Sequence, residues 1–306
     1  MTRMLALLAP LVLLAWLVAP GDAAAQTAPV TRHLSRFDVP NPPAQFDQVV
    51  LVLDWPPGSE FPSHATGGPV FVTVAEGEIW VRVTGMPATE KKYRPGESFV
   101  ETAGEFVEVG NAGAVKARTI ATAVLPKGAP LSTTQPGASA RNARPGPTIA
   151  HRATLDVQSR PSPLEVAHFV VAFPAGSPAG AWTAWHTHGG PGLVLVTEGE
   201  VTVERGGAQE RFRREQSWQD SADTVHRAGN LTPAPAAVFA SFLLPKGATL
   251  TTAQPGQTGG SPGAAAPDPT APTQLPRTGA PDPVAFLIAS AGLGAAGWLV
   301  RRRAAS

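Results

Sequence analysis

The chain has 306 residues, 33 of them Pro and 31 Gly, with 15% charged residues, a formal net charge of +1 and no Cys. The absence of Cys excludes disulfides, thiolate ligands and a cysteine nucleophile, and near-neutrality excludes a general attraction to phosphate polymers, so nucleic acid is not an expected partner. The length accommodates two domains, and abundant Pro and Gly beside β-branched runs favour an all-β protein rich in turns.

In chain order, residues 1–25 read as a secretory signal peptide: Arg3, an apolar run over 5–18, then Ala23-Ala24-Ala25, with cleavage expected between Ala25 and Gln26. A retained membrane anchor is the alternative. Residues 36–137 form the first expected domain, with strand-like runs such as 48–53. Residues 138–147, which include Arg141 and Arg144, read as a solvated linker, and 148–256 as a second domain.

The second domain holds Trp185-His186-Thr187-His188-Gly189-Gly190, followed by two strand-like runs around Gly199 and a third histidine, His226. Side chains alternate along an extended segment, so His186 and His188 share one side. Three neutral imidazoles meeting at one point suit a borderline divalent metal. Iron, zinc, nickel, manganese and copper are not distinguished. Such a set leaves coordination positions open for water, dioxygen or a substrate oxygen. Trp185 and Trp218 flank the ligand segments and are candidate pocket walls, with core packing as the alternative. Glu198 and Glu200 read as solvent-facing, so no general base is named. His33, His151 and His168 have no partner pattern and read as surface or incidental residues.

The chain repeats itself. Leu125-Pro126-Lys127-Gly128 returns as Leu244-Pro245-Lys246-Gly247, and His64-Ala65-Thr66-Gly67-Gly68-Pro69 as His186-Thr187-His188-Gly189-Gly190-Pro191. A duplicated unit of this length is one domain's worth. The copies differ: Thr66 stands where His188 stands, and Val107 where His226 stands. The first copy, left with His64, is expected to be metal-free and to serve as a packing partner or an apolar pocket.

These residues resemble the cupin family. Gly180, His186, His188 and Gly199 fall where the family's first motif has its Gly, two His and closing Gly, and His226 and Asn230 fit the end of the second. The usual Glu is Gly192 here, and the usual Pro and Gly before the second-motif His are Ser221 and Asp223. The resemblance implies a bicupin: two tandem small β-barrels of jelly-roll type, with His186, His188 and His226 as metal ligands in the second. Three-His iron sites without Glu occur in some dioxygenases of that superfamily.

Residues 257–274 are rich in Gly, Pro, Ala and Thr and read as an extended spacer. Leu275, Pro276, Thr278 and Gly279 then precede an apolar run over 284–300 and Arg301-Arg302-Arg303. The segment 275–303 resembles the LPxTG-type cell-wall sorting signal of Gram-positive-type bacteria. The resemblance implies that a sortase cuts between Thr278 and Gly279 and joins the chain to peptidoglycan. A plain membrane anchor at the C-terminus is the alternative, with a short span and cytoplasmic arginines. Either places both domains outside the cell. Three functions follow: a surface-anchored module binding a metal and a small molecule, a metal-dependent cupin oxygenase or related enzyme, or a metal-free ligand-binding or structural wall protein.

Overall fold

The computed structural model of the protein describes residues 28–256 apart from 40, 139–144, 160–162 and 176–180. The expected signal peptide (1–25), spacer (257–274) and sorting signal (275–303), Gly180 and most of the linker lie outside the described residues. Among those described, the chain is all-β, as its composition indicates, with one 3-10 turn at Pro87–Thr89. No helix in this part is long and apolar enough to cross a membrane.

The first ten strands are β1 (Val30–Val39), β2 (Phe46–Trp55), β3 (Glu60–Thr66), β4 (Val70–Glu76), β5 (Ile79–Val83), β6 (Lys91–Tyr93), β7 (Ser98–Glu101), β8 (Val107–Gly110), β9 (Ala117–Pro126) and β10 (Ser132–Thr134). Then come β11 (Thr148–Val157), β12 (Leu164–Phe173), β13 (Ala181–Trp182), β14 (His186–His188), β15 (Gly192–Glu198) and β16 (Glu200–Arg205). The last are β17 (Ala208–Arg213), β18 (Ser217–Asp220), β19 (His226–Asn230), β20 (Ala236–Pro245) and β21 (Thr251–Ala253).

They make two units of two sheets each. In the first, the sheet β11-β2-β9-β4-β7 packs on β10-β3-β8-β5-β6 around Leu51, Val72, Ile79, Val109 and Ala121. In the second, β1-β12-β20-β15-β18 packs on β17-β16-β19-β14-β21 around Val194, Val196, Val203, Trp218 and Phe242. β9 and β20 are buried along nearly their whole length, as strands are where both faces of a sheet are covered.

Each half of the chain, expected to form its own unit, gives one strand to the other. β1 precedes the first unit but pairs antiparallel with β12, placing Arg36 opposite Ala167. β11 opens the second half but pairs with β2, placing Arg152 opposite Leu51. The register slips at the matching point of both strands, between Thr31 and His33 and between Ile149 and His151. The two units also pack face to face through Val50, Val52, Ile120, Leu193, Leu195 and Phe239. The hydroxyls of Thr122 and Ser241, each three residues before its Leu-Pro-Lys-Gly, meet at 3.0 Å. This contact of equivalent residues marks an approximate two-fold relation between the repeats.

His168 lies at that interface and corrects the surface reading. It is fully buried on β12, with Nε2 2.9 Å from Thr122 Oγ1 and Nδ1 3.3 Å from Thr73 Oγ1. Its ring stands edge-on to Phe37 and Phe239. A histidine amid an apolar strand run is such a residue when hydroxyls from the neighbouring sheet satisfy both ring nitrogens. His151 is half-buried, its Nε2 3.2 Å from Ser217 Oγ, and burial lowers its pKa against the pull of Glu215. His33 sits on β1 opposite Val170.

The repeated motifs are scaffold devices. A Cβ at Gly68 or Gly190 would fall 2.0 or 1.9 Å from the carbonyl oxygen of Val124 or Leu243. The strand that approaches so closely donates an N–H to the following proline: Val124 to Pro69 at 3.0 Å and Leu243 to Pro191 at 2.9 Å. The buried Asn230 donates Nδ2–H to the carbonyls of Pro174 and Ala234 and accepts from Thr232 N–H. Asn111 holds the matching loop of the first unit in the same way. These asparagines close turns around main-chain groups rather than reaching the histidines.

Candidate metal centre

The short strand β14 carries His186 and His188, with Thr187 between them turned the other way. On one edge it pairs with β21, and on the other His186 stands opposite His226 of β19. The strand pairing therefore brings together the three histidines singled out in the sequence. All are buried, with exposures of 9%, 5% and 2% for His186, His188 and His226. Their donor nitrogens all lie within 4.8 Å of one another, and the ring centroids are 4.9, 4.4 and 5.2 Å apart.

The hydrogen bonds fix the tautomer of each ring. Nδ1 of His186 is 2.7 Å from the Ala184 carbonyl, that of His188 is 3.0 Å from the Leu250 carbonyl, and that of His226 is 3.0 Å from the Thr224 carbonyl. A carbonyl only accepts, so each Nδ1 carries the proton and each Nε2 presents a lone pair. This is how ligating histidines are held: the far N–H is anchored to the scaffold and the near nitrogen points at the ion. Lone pairs gathered at one point repel until a cation lies between them.

Burial keeps His186 and His188 neutral. It pushes His188 down to about 3, with the bond to Leu250 opposing and the nearby His186 and His226 adding to the fall. His186 is lowered for the same main reason, against its bond to Ala184. Both therefore stay in the ligating form well below the usual histidine range.

The surroundings explain Gly192. The Phe242 ring lies 4.0 Å from that of His188. A Cβ at Gly192 would fall 2.6 Å from Phe242 Cδ1 and 2.8 Å from the Ser241 carbonyl. Phe242 thus fills the room that a side chain at 192 would need, and the Glu usual in the resembled family has no place there.

A buried carboxylate lies beside the histidines, on a residue that sequence reasoning missed. Asp220, on β18 directly opposite Gly192, is 2% exposed, with Oδ2 3.5 Å from His226 Nε2 and 3.1 Å from Trp218 Nε1, which donates to it. Burial raises its pKa, while His226, the Trp218 bond and Arg205 pull it down and Glu210 adds to the rise. The available sequence signal was period two: in Ser217-Trp218-Gln219-Asp220, the aspartate shares a face with the core residue Trp218.

Of the two candidate wall residues, Trp218 is packed in the core against Phe212. Trp185 is half-buried, with the Arg227 guanidinium 4.9 Å from its ring and 4.3 Å from that of Trp182. Glu198 is exposed, and Glu200 pairs with Arg213 at the surface. In the first unit, Thr66 and Val107 are buried where the second unit has His188 and His226, and His64 Nε2 lies 3.7 Å from Glu101 Oε2.

Comparison with known proteins finds one family match, within the second unit. Residues 170–242 match the cupin domain family. The match spans β13 to β19, the end of β12 and most of β20, and it includes all three histidines. The curated proteins offer no match. Among solved structures, a cupin 2 conserved barrel domain protein from Leptotrichia buccalis is 12% identical, with TM-score 0.36, over 70% of this chain and 95% of that one. Oxalate decarboxylase from Bacillus subtilis, which has Mn(II) centres, is 8% identical, with TM-score 0.45, over 74% and 81% of the two chains. Vicilin from hazelnut, Corylus avellana, is 10% identical, with TM-score 0.49, over 72% and 86%.

Proposed function

We propose that the protein is an extracellular, surface-anchored bicupin whose second cupin barrel binds a divalent metal through His186, His188 and His226. The observation that carries this reading is the set of three anchored Nδ1 protons, which turns three buried Nε2 lone pairs toward one point. The ion would act there as a Lewis acid, with coordination positions left for an oxygen of a small molecule. The chain's own residues hold the three rings in place. The first barrel, with His64 alone at the three matching positions, serves as a packing partner. Its exchanged strand and broad apolar face support that role.

A second reading, a metal-dependent oxygenase or related enzyme, is favoured by one feature: three protein nitrogens leave an ion room for both dioxygen and a substrate oxygen. Metal analysis separates the sites. His226→Ala is expected to lose nearly all bound metal, and His64→Ala to keep the wild-type content; equal loss from both would show that the site is misassigned.

The anchoring belongs to the same proposal and rests on the LPRTG segment, the apolar run after it and the terminal arginines. A sortase and peptidoglycan are the partners it implies, with a membrane stage before processing. Deleting residues 275–279 is expected to move the protein from the wall fraction to the membrane fraction. Recovery of intact Arg301-Arg302-Arg303 from most of the native protein by mass spectrometry would make the tail a plain membrane anchor.

A further inference from the structure

We propose that Asp220 is the fourth protein ligand of the metal centre, reaching the ion from the strand opposite Gly192. The inference rests on the three-histidine reading and adds to it a residue that lies outside the motif positions.

Three observations carry it. The first is proximity: Asp220 Oδ2 stands 3.5 Å from Nε2 of His226, one of the three clustered histidines. The second is an orphaned atom. Asp220 Oδ1 is buried and has no hydrogen-bond partner, and the nearest guanidinium nitrogen, Nη1 of Arg205, is 3.8 Å away. A buried carboxylate oxygen without a donor is costly, and ligation to an ion removes that cost. The third is placement. Trp218 Nε1 donates to Oδ2 at 3.1 Å, which fixes the carboxylate on the barrel side of β18, level with Gly192 and with the Phe242 ring that packs against His188.

The first unit shows the same register position in use. Glu101 stands opposite Val70 on β7 as Asp220 stands opposite Gly192, and its Oε2 lies 3.7 Å from His64 Nε2. Both repeats thus set a buried carboxylate against an imidazole here, and in the second two further imidazoles cluster with that one. Hard carboxylate oxygen beside three imidazoles favours manganese, iron or zinc over a softer ion.

The test measures zinc affinity by chelator competition on the full-length protein and the visible spectrum of its cobalt(II) form, which follows coordination number. Asp220→Asn keeps the shape and an acceptor for the Trp218 N–H. It is expected to weaken zinc binding by more than about 100-fold, beyond the roughly 10–100-fold that an outer hydrogen-bonding partner costs, and to change the cobalt spectrum. In unmutated protein, zinc loading is expected to shift a carboxylate stretching band in the infrared, a readout that does not depend on how the variant folds. Near-wild-type affinity in Asp220→Asn, an unchanged cobalt spectrum or no infrared shift overturns the inference while His226-dependent binding stands. A wild-type protein that takes up no zinc overturns the three-histidine reading and this inference with it.

Discussion

Replacing Gly190 by alanine is expected to cost about 3 kcal/mol or more of folding stability, among the largest effects of any single methyl group. The added Cβ would lie 1.9 Å from the Leu243 carbonyl oxygen and 3.0 Å from its carbon. Both are main-chain atoms of β20, so no side-chain rotation relieves the overlap. Relief requires β20 to move off the Gly190-Pro191 segment, which breaks the 2.9 Å bond from Leu243 N–H to the Pro191 carbonyl. It also disturbs the buried Phe242, Leu243 and Leu244. Gly146→Ala is the matched control: its Cβ would meet only the Glu60 carbonyl, at 3.6 Å, an ordinary contact, and its effect is expected to stay within about 1 kcal/mol. Denaturant midpoints measure both. Equal midpoints would mean that the close approach of β20 is not a feature of the folded protein.

His168→Ala is expected to cost roughly 3–5 kcal/mol, combining a large-to-small cavity with lost hydrogen bonds. The ring is fully buried between Phe37 and Phe239 and satisfies the hydroxyls of Thr122 and Thr73, both from the first unit. Because the two partners act together, Thr122→Val should cost less in the His168→Ala background than alone. Unfolding should remain a single transition, since the exchanged strands β1 and β11 still tie the units together. Additive costs in the double variant would contradict the contact, and two separate transitions would contradict the role of the exchanged strands.

The alternation of side chains along an extended segment made His186 and His188 readable as a pair, and the restated Gly-Gly-Pro and Leu-Pro-Lys-Gly segments made the duplication readable. Those signals are local, or compare the chain with itself. What stayed hidden depends on pairing between distant segments. Nothing in the composition of 30–39 says that it pairs with 164–172 rather than with its own half, because either edge would bury the same apolar face. His168 looked incidental because its partners, Thr73 and Thr122, come from the other repeat. Asp220 was passed over because the motif directs attention to position 192, and only the register of β15 on β18 shows that an aspartate faces that glycine. The glycine itself is explained by Phe242, fifty residues further along the chain.

The central claim is that one metal ion sits among three histidines of the second unit, and a zinc-loaded crystal tests it most directly. The expected anomalous difference map has one peak per chain, about 2.0–2.1 Å from Nε2 of His186, His188 and His226. A map with no peak among these nitrogens, or with the ion held instead beside His64, would contradict the account.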